Sequence, residues 1–145
     1  PWLKLAATLD PERPETYIVA SFWLRSQLGK PDEAEQFLRQ GLIANPGHPE
    51  MLFELGRIYH ENRHNPERAR NLWEISLKNY KERLKGQEKE NLLLHAQILG
   101  SLAHLEEEQK NFIKGVEYLR ELESFSPNRA SIQKWRTDLE NKAKG

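Results

Sequence analysis

Cysteine is absent from all 145 residues, and methionine occurs once. Without a thiol there is no disulfide, thiolate metal site, iron–sulfur cluster or cysteine nucleophile, whatever the compartment. Net charge is missing as well, since 22 Lys and Arg stand against 22 Asp and Glu. Proteins that grip a phosphate backbone carry a basic excess or stripe, so nucleic acid is not an expected partner. Long apolar runs are also lacking. The longest nearly apolar stretch, residues 17–24, is far short of the roughly 20 residues that a bilayer-spanning helix needs. No membrane span is expected. What remains is 37% hydrophobic and 30% charged. That is enough to bury a core beneath a strongly hydrated surface, and it excludes a disordered chain. The length suits one domain or a short array sharing a continuous core.

An internal repeat organises the chain. Residues 30–38, with Pro31, Ala34, Phe37 and Leu38, return 35 positions later as 65–73, with Pro66, Ala69, Leu72 and Trp73. The same offset links Leu9-Asp10-Pro11 to Ala44-Asn45-Pro46, Leu3 to Leu38 and Leu42 to Leu77. A third copy at 111–119 puts Gly115 46 positions after Ala69 and closes on Ser126-Pro127, so extra residues entered between the last two copies, within 80–91. Each copy reads as two amphipathic helices. Leu52, Leu55, Gly56 and Tyr59 follow helical spacing, as do Ala69, Leu72, Trp73, Ser76 and Leu77 after the turn. Pro31 and Pro66 suit a first helical turn, and Asn45-Pro46 and Ser126-Pro127 suit helix ends. No alternating, hairpin-bounded strand pattern is found. Small Ala20, Ala34, Gly56 and Ala69 would let helix axes approach while Phe37, Leu38, Tyr59 and Trp73 fill the gaps between them.

At these residues the chain resembles the tetratricopeptide repeat family, whose repeat runs W-x2-L-G-x2-Y, A-x3-F, P. Copy two carries Leu52-x2-Leu55-Gly56-x2-Tyr59 and Ala69-x3-Trp73, with one extra residue in its turn. Copy one offers Tyr17, Ala20, Ser21 and Leu24, then Ala34, Leu38, Gly41 and Pro46. Copy three offers Leu99, Leu102, Ala103, Gly115, Leu119, Leu122 and Pro127, with Glu106 where the family has an aromatic. The resemblance implies an all-α, right-handed superhelical solenoid with a C-terminal capping helix. Its segments are a truncated half-repeat at 1–13, repeats at 14–48 and 49–82, an insertion or helix extension at 83–95, a degenerate repeat at 96–128 and a cap at 129–145. It further implies a non-catalytic module, without cofactor, that binds a peptide or partner protein on a concave face.

That face would be lined in copy two by Glu50, Phe53, Arg57, His60 and Glu61, and in copy three by Gln97, Gly100, His104, Glu107 and Glu108. Copy one supports two alignments: Ile18, Phe22, Arg25 and Ser26, or Val19, Trp23, Ser26 and Gln27. Phe22, Trp23 and Phe53 are either exposed anchors or core. The Lys and Asn clamp by which chaperone-binding members hold a C-terminal carboxylate is not matched, because Val19 or Ile18, Glu54, Gln97 and Ser101 stand there. A short chain that starts inside a repeat is also similar to tetratricopeptide proteins of the bacterial kinesin light chain type. That likeness implies association with bacterial tubulin filaments, or self-association. Since the chain opens mid-repeat and without Met, the natural protein is expected to extend beyond Pro1. A cytoplasmic location is expected, and any export signal or anchor would precede Pro1.

Other residue groupings have simpler roles than the chemistry they spell. His60-Glu61-Asn62-Arg63-His64 spells H-E-x-x-H, which in a small zinc hydrolase sets two metal-binding His one helical turn apart with Glu as general base. Asn65-Pro66 follows at once and the repeat places His64 in a turn, so a polar helix end is expected instead. His95 and His104 fall on opposite sides of one expected helix, 88–109, and cannot share a metal. Glu106-Glu107-Glu108, Glu121 and Glu123 are expected on solvated faces. No phosphate loop or nucleophile elbow is present. In the end helix Ile132, Trp135 and Leu139 are expected to pack inward, and Arg129, Lys134, Arg136, Lys142 and Lys144 to face water.

Overall fold

Pro14, Pro31, Pro49 and Pro66 each open a helix, in the first turn, where the missing N–H breaks no hydrogen bond. The computed structural model of the protein describes residues 13–86 and 88–145. Its helices are α1 (Pro14–Phe22), α2 (Pro31–Ala44), α3 (Pro49–Arg57), α4 (Pro66–Lys85), α5 (Leu92–Glu108), α6 (Phe112–Glu123) and α7 (Arg129–Lys144). There is no strand among the described residues, so the expected all-α class holds. The expected half-repeat at 1–13 lies outside them except for Arg13. Two compact units divide at Gly86 and Gln87.

In the first unit α1 packs on α2 and α3 on α4, while α3 also touches α1 and α2. Tyr17, Ala20, Ala34, Phe37, Leu38, Met51, Leu55 and Ile58 form one buried cluster. Burying each of its larger side chains contributes about 1.5–3 kcal/mol. The small residues work as the pattern suggested. A Cβ on Gly41 would lie 2.6 Å from Tyr17 Cγ, and the Trp73 indole occupies the space beside Gly56. Helix axes therefore approach at these two points because glycine leaves room for a ring.

In the first unit, the first helix of each pair does not stop as a plain α-helix. α1 runs on into a π-helical segment, Trp23–Gln27, and α3 into another, Ile58–Asn62. Their widened hydrogen bonds are Leu28 N–H to Trp23 O and Arg63 N–H to Ile58 O, both at 3.1 Å. The spacing explains them. Ten positions separate Leu24 from Ala34 and Tyr59 from Ala69, but only nine separate Glu106 from Gly115, and α5 ends without a π segment. One surplus residue is absorbed by widening the turn. Each turn then passes through a left-handed residue: Gly29 at φ 63°, His64 at 52° and Lys110 at 61°. Only Gly29 adopts that conformation without a Cβ penalty.

In the second unit α6 packs on both α5 and α7. Ile98, Leu99, Leu102, Leu105, Leu119 and Leu139 are buried, and a Cβ on Gly115 would lie 2.9 Å from Leu139 Cδ1. Ile132 and Leu139 of α7 pack inward as expected, with Trp135 half-buried. Three expectations are refined by the structure. The helix read as 88–109 begins only at Leu92, because the Asn91 side chain accepts the Leu94 N–H at 3.1 Å and caps it there. Within the segment read as 83–95, α4 ends at Lys85, a short connection follows, and α5 has already begun. Glu106, expected on a solvated face, is 2% exposed, and its Oε1 accepts from Asn111 Nδ2 at 3.0 Å.

Candidate protein-binding surface

Val19 and Phe22 of α1 and Trp23, the first residue of the π segment that continues it, lie at i, i+3 and i+4 and share one face. Phe22 is 39% exposed and Trp23 is 51% exposed. The opposite side of α1, with Tyr17, Ala20 and Ser21, is buried. Phe53 of α3 differs. It is 3% exposed, with its ring 6.1 Å from that of Trp73 and its carbonyl accepting the Trp73 Nε1–H at 3.0 Å. Phe53 is therefore a core side chain, and the aromatic carbon open to a partner comes from α1.

An ion-pair cluster joins the two π segments. Arg25, in the first, places Nη1 2.6 Å from Oε2 of Glu61, in the second. Arg57, one turn before Glu61, sets Nε 3.7 Å from Glu61 Oε1 and Nη1 3.5 Å from Glu54 Oε1. Its guanidinium lies 5.9 Å from the centroid of the Phe53 ring. Arg25, expected to line a groove, is instead a buried link between neighbouring helices. Burial pushes the Glu54 carboxyl above its ordinary range, a shift that Arg57 and Arg25 offset in part. Glu50, half-buried one turn earlier on α3, is raised by burial and by the nearby charge of Glu15. His60 is half-buried, with its ring 5.4 Å from that of Trp73.

A second cluster ties α2 to the end of α3. Glu35 accepts hydrogen bonds from Arg63 Nη2 at 2.8 Å, Tyr59 Oη at 2.8 Å and Arg39 Nε at 2.9 Å. Burial would raise its pKa, but these donors outweigh it and hold the carboxyl at about 2. Arg63 also pairs with Asp32 at 2.7 Å.

Gln97 and His104 belong to the second unit and are both exposed. The His104 ring lies 4.3 Å from that of Trp135, which donates its Nε1–H to Glu107 at 2.8 Å, and Lys142 pairs with Glu107 at 3.0 Å. Burial acts to raise the Glu107 pKa, but the Trp135 and Lys142 bonds lower it overall. His95 is not a solvated imidazole. It stacks on Phe125 at 4.5 Å and meets Glu121 at 2.8 Å.

In the H-E-x-x-H stretch, His60 lies in the π segment and His64 in the left-handed turn beyond it, so the two are not one turn apart on a common helix. Among the described residues no three His, Cys, Asp or Glu side chains are placed to hold a metal ion, and no helix is long and apolar enough to cross a membrane.

Glu54 stood in the sequence reading only as a mismatch to the carboxylate clamp, and its pairing with Arg57 was not expected. It sits in a segment, 51–56, in which every residue is buried. Its spacing of four from Glu50 and three from Arg57 was the available signal for a charged row on one helix face. Compared with known proteins, the chain matches no protein-family model and no curated sequence.

Proposed function

We propose that this chain is a tetratricopeptide-type interaction module, a right-handed helical-repeat solenoid that docks a peptide or partner protein by equilibrium binding and carries out no reaction. The repeat assignment is supported by the left-handed turn residues. Gly29, His64 and Lys110 recur at the offsets of 35 and 46 that relate the sequence copies. The binding assignment rests on one observation above all: Phe22, the last residue of α1, and Trp23, the first of the π segment that continues it, are both exposed, and the same π segment carries Arg25, which pairs with Glu61. Rigid aromatic carbon next to oriented charge is the composition of a binding hot spot.

The test is affinity capture with the immobilised chain, followed by mass spectrometry, run in parallel with a Phe22→Ala, Trp23→Ala double variant. At least a tenfold loss of the specifically retained partner is expected, since each buried interface aromatic contributes about 2 kcal/mol or more. Equal recovery by both proteins would overturn the assignment to this face. A second reading, self-association or attachment to a filament of the bacterial tubulin kind, is favoured by exposed Leu92, Leu93 and Ile113 in the second unit. Sedimentation as a monomer over a wide concentration range, with no co-pelleting on such filaments, removes it.

A further inference from the structure

Only half of the Arg25 guanidinium fork is in use. The side chain is 7% exposed and Nη1 meets Glu61, but Nη2 is buried with no hydrogen-bond partner among the described residues. An unpaired buried donor is unfavourable, and guanidinium binds carboxylate best through two nitrogens at once. Glu61 does not supply that geometry. One of its oxygens touches Arg25 and the other is directed at Arg57, so a single carboxylate spans two guanidiniums and saturates neither. Its side chain is 45% exposed, and water and salt compete for it. Glu54 sits beside Arg57 and within the field of Arg25. With Glu61 turned outward, Arg57 keeps Glu54, with Glu50 one turn earlier on α3, and the Arg25 fork is left with a place for one carboxylate.

We infer that Glu61 is an exchangeable internal stand-in, and that Arg25 receives a carboxylate from an acidic segment of the partner. The inference rests on the binding reading above and names the chemistry of what binds. The incoming carboxylate takes both Nη atoms of Arg25 while Glu61 turns to water. Phe22, one helical turn before Arg25, offers an apolar contact to the same segment.

The probe is a fluorescein-labelled peptide of alternating Asp and Leu with an amidated C-terminus, titrated against the 145-residue chain by anisotropy at low salt. A free-acid version separates a terminal carboxylate from a side-chain one, and a peptide with Lys in place of Asp controls for adhesion. Glu61→Gln is expected to tighten binding of the acidic peptide about 5–10-fold, because the competing occupant is weakened. Arg25→Lys is expected to weaken it about tenfold, because it keeps the charge and loses the fork. Should Arg25→Lys lose its helical circular dichroism, Glu61→Gln decides alone, being a change at an exposed side chain. Unchanged or weaker affinity in Glu61→Gln, or equal binding of the Lys peptide, overturns the inference. Partner capture that depends on Phe22 and Trp23 without any response of the acidic peptide to Glu61→Gln would sink this inference and leave the binding reading standing. The converse result would sink only the assignment of the aromatic face.

Discussion

The Trp73 indole fills the space beside Gly56, and its Nε1–H donates to the carbonyl of Phe53 at 3.0 Å. The atoms a Cβ would meet belong to a rigid ring, so the clash cannot be relieved by a flexible side-chain tip. Gly56→Ala is therefore expected to destabilise the first unit by about 1–3 kcal/mol despite its gain in helix propensity. Urea unfolding followed by Trp fluorescence measures this. A midpoint at or above that of the parent chain would show that the helices separate without cost.

Phe53 and Phe22 should separate folding from binding. Phe53→Ala removes a buried ring and is expected to cost about 3–5 kcal/mol, whereas Phe22→Ala, on a partly exposed ring, should stay within about 1 kcal/mol. Parallel thermal melts decide it. Equal losses would mean that Phe22 is part of the core.

Acid should loosen the tie between α2 and α3. The folded pKa of Glu35, about 2, lies below its value in the unfolded chain, so its contribution is complete above the unfolded value. That contribution fades as pH falls from about 4.5 toward 2. Glu35→Gln is expected to lower the denaturation midpoint at pH 7 and to narrow the difference between pH 7 and pH 3. A variant with undiminished acid sensitivity would assign the effect to other carboxylates.

His64 and Lys110 hold left-handed backbone that L side chains adopt at a cost of about 1 kcal/mol. His64→Gly and Lys110→Gly are each expected to stabilise by about 0.5–1 kcal/mol, offset in part by the greater freedom of glycine in the unfolded chain. Together they should add, because the two turns belong to different units. Calorimetry on the two single variants and the double variant tests this. Destabilisation by His64→Gly would mean that the imidazole makes contacts worth more than the strain.

Much of the architecture was legible as a linear pattern. Apolar residues at helical spacing and Pro at helix starts depend on neighbours within a few turns, and local chemistry decides them. The surplus residue before Ala69 was visible too, although its outcome as a π-helical segment was not, since a widened turn and a longer loop fit the same count. The surface was harder to read. Phe22 and Phe53 look alike in sequence, and only the packing of Trp73 beside Phe53 put one inside and left the other open. Charge followed the same rule. Nothing in the order of residues marks Arg25 as buried or Glu61 as its counter-ion 36 positions away. Periodicity assigns a residue to a face, but burial and pairing depend on what the next helix lays against that face, and that is settled when distant segments meet in space.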